Sequence, residues 1–175
     1  KRLAHLRRDD PDGAEIAELE RLLELLQPLA ITASSRYRLL LDQLHAMGWD
    51  GSAGSPRLLL FTESRLTQQA LAPALAEQFA LPFSAKQEDQ HAQPIAAIHG
   101  GMSDSALAAA VESFGTGTSP VRLLLATDVA SEGVNLHHQC HHIIHYDLPW
   151  SIITLIQRNG RIDRFGQPHP PIIRY

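Results

Sequence analysis

Residues 157–167 read QRNGRIDRFGQ and set Arg158, Arg161 and Arg164 within seven positions, in a chain of 175 residues whose formal net charge is −4. Guanidinium groups stay charged at any physiological pH and present a planar fork of donors that suits phosphate oxygens. Read as one helix at 100° per residue, Gln157, Arg161 and Arg164 fall within about 60° of arc. Ile152, Leu155, Ile156 and Ile162 then take the opposite side as the anchoring apolar face. Two functions fit this spacing. Either the arginines are a solvated face paired with Asp163 or other acids, or a ligand brings the negative charge they lack.

A second constellation, LLLATDVASEGVNLH (123–137), runs from an apolar stretch into Thr127, Asp128, Gly133 and Asn135. Small hydroxyls, backbone amides and a glycine beyond a strand end allow close approach to a phosphate or a sugar. A third, NLHHQCHHIIHYD (135–147), carries His137, His138, Cys140, His141, His142 and His145. Zinc favours such ligands. No CxxC pair is present, however, and successive residues of a strand face opposite ways. Structural or surface histidines without a metal are the reading taken, with zinc as the alternative.

These groups need a scaffold, and the pattern supplies one. Short apolar runs at 57–62, 94–100, 121–127 and 141–147 predict buried strands, and PPIIRY (170–175) begins a fifth. Helices are expected from about Ser64 to Ala80, over 103–114 with Ser103 as cap, and within LPWSIITLIQRNGRIDRF (148–165). Residues 81–93 read as an irregular loop. Upstream, Ile16, Leu19, Leu22, Leu23 and Leu26 form a helical leucine stripe, and another helix runs from Ser34 or Ser35 to Gly48. Alternating strands and helices imply an α/β domain with a parallel sheet covered on both faces, spanning 51–175 and preceded by a helical extension over 1–50. Such sheets place ligands beyond the carboxyl ends of their strands. Thr62-Glu63-Ser64, His99-Gly100-Gly101, Thr127-Asp128 and Asp147 are all expected on that rim.

Composition narrows the classes. With 44% hydrophobic residues the chain can bury a core, and its negative charge excludes a generally basic nucleic-acid coat. One cysteine excludes an internal disulfide framework and fits a reducing cytoplasm. No stretch is long and apolar enough to span a membrane. The missing initiator methionine, and the stop within PIIRY, lead to the expectation of a piece of a longer protein.

Taken together, ATDVASEGVNL, then HYDLPW, then QRNGRIDRFGQ resemble the second motor lobe of superfamily-two helicases, and QRNGRIDR fits the pattern QRxGRxxR at each fixed position. RLLLFTES and AIHGGMSDSALAAAVESF are similar to earlier motifs of that lobe, so the resemblance covers roughly 57–175. The RFGQ ending and YDLPW look most like Swi/Snf-type translocases, similar to the bacterial RNA-polymerase-recycling ATPase. The resemblance implies a RecA-like sheet. It implies that Arg161 and Arg164 reach ATP phosphates across a cleft between lobes, supported by Gln157, with Gly133 and Asn135 near the ribose and phosphates. Thr62, His99, Gly100, Thr127 and Asp128 would meet a nucleic-acid backbone. Two departures stand out. The helix after HGGM lacks the arginine often found there, and Glu132 replaces a common arginine or glycine.

The chain contains no GK[ST], and its lysines are Lys1 and Lys86, so it carries no P-loop; no Asp-Glu pair offers a magnesium site. ATP with magnesium is therefore expected on a missing N-terminal lobe, leaving this fragment inactive alone. The expected whole is a cytoplasmic ATP hydrolase that translocates on nucleic acid, duplex DNA first, and remodels a protein complex. A strand-separating DNA or RNA helicase, and a non-catalytic scaffold with the same fold, are the alternatives.

Overall fold

The computed structural model describes residues 21–22, 30–128, 136 and 138–175. The leucine stripe lies outside these residues except for Leu22; so do Gly133, Asn135, Glu132 and His137. The chain divides into two compact units, residues 1–39 and 40–175. The helix α1 (Ser35–Ala46) ends in a glycine-closed cap. Gly48 takes φ +68°, Trp49 N–H reaches Leu44 O at 2.9 Å and Gly48 N–H reaches His45 O at 3.0 Å. A left-handed residue at this place lets two terminal carbonyls find donors, and glycine adopts it without a Cβ clash.

The strands are β1 (Leu58–Phe61), β2 (Ile95–Ile98), β3 (Leu123–Ala126), β4 (His142–His145) and β5 (Ile172–Arg174). They form a five-stranded sheet in the order β2-β3-β1-β4-β5, parallel at every pairing. LLLF and LLLA read as unbroken apolar runs because strands in the middle of a doubly covered sheet bury both faces; all four residues of β1, β3 and β4 are buried. Leu59, Phe61, Ala96, Ile98, Leu124, Ala126 and Ile143 build one core with Ala110 and Phe114 of α3 (Asp104–Gly115) and with Ile162. The helix α2 (Arg65–Gln78) packs on β2 and β3. Both helices start where the sequence indicates: Ser64 Oγ accepts from Thr67 N–H, and Ser103 Oγ accepts from Ala106 N–H. The parallel α/β class and every expected strand are present. Within the 81–93 loop a short 3-10 helix occupies Gln87–Ala92.

The last helix differs from expectation. α4 spans Ile152–Asn159 and stops at Gly160, so Gln157 is helical but Arg161 and Arg164 are not. The common arc of these three side chains therefore does not exist. The chain past Gly160 winds through tight turns: Arg161 N–H donates to Arg158 O (3.1 Å), Ile162 N–H to Asn159 O (3.1 Å) and Gln167 N–H to Arg164 O (3.1 Å). Nor do the isoleucines of the helix anchor it, although Gln157 is exposed as expected. Ile152, Ile153 and Ile156 are 74%, 69% and 64% exposed, whereas Arg158 is 1% exposed. Of the apolar residues assigned to the anchoring face, Ile162 alone is fully buried, and it lies beyond the helix. Periodicity shows that a stripe exists. It does not show what the stripe faces.

Candidate functional site

Because the strands are parallel, Thr62, His99, Thr127 and Tyr146-Asp147 all follow their strands at the same end of the sheet. Three of these ends are tied together by acids. Thr62 Oγ1 donates to Asp147 Oδ2 (2.6 Å) and Glu63 N–H to Asp147 Oδ1 (2.8 Å). Arg158 grips Asp128 with two donors, Nε to Oδ1 at 2.5 Å and Nη2 to Oδ2 at 2.8 Å. Its Nη1 donates to Asp147 O (2.8 Å), and Nη2 lies 3.8 Å from Asp147 Oδ1. The guanidinium also sits 5.2 Å from the Phe61 ring centroid. Fork-on-fork pairing at near-complete burial fixes this group far better than a surface ion pair could.

A row of planar rings continues from the same place. Phe61 stacks on His145 at 6.0 Å, and His145 stacks on Tyr175 at 5.2 Å. His145 Nε2 lies 2.8 Å from Asn159 Oδ1, which ties β4 to the end of α4. Burial holds the His145 imidazole below its ordinary pKa despite that bond. The turn carrying Arg161 and Arg164 thus leaves a fixed point: Arg158, Asn159 and buried Ile162 are its roots. Leu136 N–H reaches back to Arg161 O at 3.2 Å.

The site residues separate by burial. Arg164 and Gln157 are exposed and Arg161 is half-buried; Thr62 and Thr127 are buried; Asp128 is half-buried against Arg158. His99 and Gly100 stand apart from the acid-tied cluster, in a turn where Gly101 N–H donates to His99 Nδ1 (3.1 Å). Beside it, Arg65, Gln69, Phe83 and His99 line a cleft of about 460 Å³. Burial, reinforced by the Arg65 charge, lowers the His99 pKa. Gly133 and Asn135 lie outside the described residues.

One contributor was missed. Gln68 is buried on α2 and donates through Nε2 to Ile98 O (2.8 Å) and Leu125 O (3.0 Å), closing the ends of β2 and β3. Its signal was available, since Gln68, Leu71 and Leu75 share one helix face and only Gln68 is polar. Arg158, outside the arc of Gln157, Arg161 and Arg164, holds local structure and is the centre of the rim. Of the histidines, His141 lies 4.1 Å from His142 and 4.9 Å from His169 by ring centroid. Among the described residues no three His, Cys, Asp or Glu are placed to hold a metal, and no helix is long and apolar enough to cross a membrane.

The polar strand-end rim and the arginine turn at its edge thus belong to one parallel α/β domain. Residues 39–166 match the family described as helicase conserved C-terminal domain, and the chain belongs to that family. It is 51% identical over 47 residues to an uncharacterized ATP-dependent helicase, YqhH, of Bacillus subtilis, covering 27% of this chain and 8% of the relative. It is 43% identical over 68 residues to DEAD-box ATP-dependent RNA helicase 52A of Oryza sativa, covering 39% and 11% respectively. The aligned stretches thus span only about a tenth of each curated relative. Among solved structures, the C-terminal part of the Fun30 ATPase domain superposes with a TM-score of 0.65 at 14% identity, covering 82% of this chain and 41% of that one. The yeast DEAD-box splicing factor Prp28 gives 0.59 at 16% identity, covering 79% and 25%. These two likenesses show the RecA-like fold.

Proposed function

We propose that the chain is the second motor lobe of an ATP-dependent nucleic-acid translocase of Swi/Snf type, acting on duplex DNA, in which Arg161 and Arg164 reach the phosphates of ATP held mainly by another lobe. The observation that carries this reading is the arginine turn. Two guanidiniums lie outside the core on a segment rooted by a buried arginine and a buried isoleucine within the family-matched region. Preorganised positive charge, aimed where negative charge develops, is the largest lever available to phosphoryl transfer. ATP and its magnesium would supply the transferable phosphoryl group; this chain's residues would supply orientation and charge. Gln157, exposed on the last turn of α4, assists, and Gly133 and Asn135 are proposed as nucleotide contacts on the family resemblance.

Burial reapportions the nucleic-acid residues. Gly100 is exposed and His99 half-buried, and both are proposed as backbone contacts. Thr62 and Thr127 are buried and Asp128 is half-buried, so this set is proposed to act by fixing the strand ends, Thr62 on Asp147 and Asp128 on Arg158, and not by donation from the threonine amides, which serve Ala126 O and Ile98 O. The outward apolar stripe of α4, with Leu148 and Trp150 beside it, is consistent with a partner lobe that covers it in the complete enzyme. A strand-separating RNA helicase is the second reading, favoured by the rice DEAD-box relative. ATP hydrolysis by the full-length protein, measured with duplex DNA, single-stranded DNA and RNA, separates the two. Stimulation by duplex without strand separation supports the translocase; RNA-specific stimulation with unwinding supports the second reading; no hydrolysis with any of them overturns both.

A further inference from the structure

The opposite end of the sheet holds a feature that this function does not use. Arg122, Arg57 and His141 each stand one residue before a strand, on β3, β1 and β4, which are neighbours in the sheet. The registers Leu58↔Leu123 and Leu58↔His142 make these three residues directly opposed. Like charges facing each other across strands destabilise a sheet. The two guanidiniums do repel, and after burial the Arg122 charge is what lowers the Arg57 pKa most.

Part of the cluster is structural. Arg122 donates to Ala53 O (3.0 Å) and Ser119 O (2.7 Å), and Arg57 donates to Thr116 O, so both staple the loop after α3. That role needs two cations and explains no imidazole. Yet His138, His141 and His169 converge on the same cleft, of about 340 Å³, from two further segments. Among the described residues no carboxylate lines it. Asp50 stands behind the wall, accepting from Ser55 Oγ (2.6 Å), and His142, beside His141, feels the Arg174 charge. The Cys140 thiol at its floor is held neutral by burial, with its pKa pushed up to about 12.

We infer that this cleft, at the end of the sheet remote from the arginine turn, is a binding site for a phosphoryl-bearing anion, held by the His141 and His169 rings beside the fixed charge of Arg57. A phosphate there would neutralise the opposed charges and accept from the imidazoles. Burial and the neighbouring His169 lower the His141 pKa in the free protein, so the anion must draw a proton onto the ring as it binds. Affinity therefore rises as pH falls through the histidine range.

The test is a titration of the 175-residue chain with pyrophosphate, following the histidine ring protons by NMR and the affinity by calorimetry at about pH 6 and about pH 7.5. Saturable shifts of His141 and His169 are expected, absent with chloride at matched ionic strength. Replacing His141→Asn and His169→Asn together should weaken binding about tenfold or more, since a hydrogen bond to a charged group is worth roughly that factor. Thermal midpoints without the anion should stay put. A short DNA duplex as competitor identifies the source. Displacement of pyrophosphate marks a polynucleotide backbone, and indifference marks a free polyphosphate. Shifts that match the chloride control, or affinity unchanged between the two pH values, would overturn the inference.

Discussion

Arg158 and Arg161 stand three residues apart in one segment, yet the fold treats them in opposite ways. Arg158 is sealed inside, with its donors spent on Asp128 and the Asp147 carbonyl and its face against Phe61. Arg161, with Arg164 further along, lies past the end of α4 on a turn closer to solvent. Identical side chains are thus divided between building the rim and projecting from it. A guanidinium that locks strand ends gives up its donors to them, as Arg158 does. The sequence spacing that links the three arginines conceals this division of labour.

The largest effect is expected where the buried member is broken. Removing one partner of a buried ion pair leaves the other charge without compensation, typically at about 3–5 kcal/mol. Arg158→Ala should lower the stability of the 175-residue chain by roughly that amount in denaturant titration. Arg158→Lys should recover little, because an ammonium cannot span both Asp128 oxygens. Loss of less than about 1 kcal/mol would place Arg158 with ordinary surface pairs.

The turn arginines should show the reverse pattern. In the full-length protein, Arg161→Ala and Arg164→Ala should each cut nucleic-acid-stimulated ATP hydrolysis by about a hundredfold or more, since arginines on a transferring phosphoryl group are worth roughly 10³–10⁵ in rate and each can partly cover for the other. Arg164→Ala should shift stability by less than about 0.5 kcal/mol, as exposed substitutions do. Normal turnover in both variants would remove Arg161 and Arg164 from the nucleotide.

How much of this was legible follows from the range of each signal. The strands LLLF and LLLA, the helix start near Ser64 and the cap Ser103 are local patterns, and all stand where the sequence puts them. The stop at Gly160 was also local, but the regular recurrence of arginine and isoleucine beyond it concealed the break. What the α4 stripe faces is not local: amphipathicity gives direction around a helix axis, and only the tertiary fold says which direction is inward. The Arg158–Asp128–Asp147 cluster and the cationic cleft each join segments far apart in the chain, so no spacing announces them.

A smaller, pH-dependent difference separates the two ends of the sheet. His142, buried on β4 at the cationic end, has its pKa lowered to about 4 by burial first, then by His141 and Arg174. An unfolded chain protonates it near the ordinary 6.5. The depressed folded value means that its stabilisation is complete above 6.5 and is lost as pH falls from there through about 4. His142→Asn should flatten the acid limb of the stability–pH curve over that window, while the limb above it stays unchanged. An unaltered acid limb would show that this imidazole is charged in the folded state.

The smallest effect is expected on the outward stripe, and it decides whether the polarity of α4 is as described. Ile153→Glu places a carboxylate in the first turn of α4, where the helix dipole favours it, and Ile156→Gln exchanges a β-branched residue for a better helix former. Both side chains already lie largely in solvent, so little apolar area is returned to water. In the 175-residue chain each should change stability by less than about 0.5 kcal/mol. If α4 instead rested on its isoleucines, each substitution would forfeit about 1.5–3 kcal/mol of burial. The same pair in the full-length protein extends the comparison. Were a partner lobe to cover the stripe there, the burial lost from that contact would weaken association of the lobes and lower ATP turnover, with the isolated chain left as stable as before.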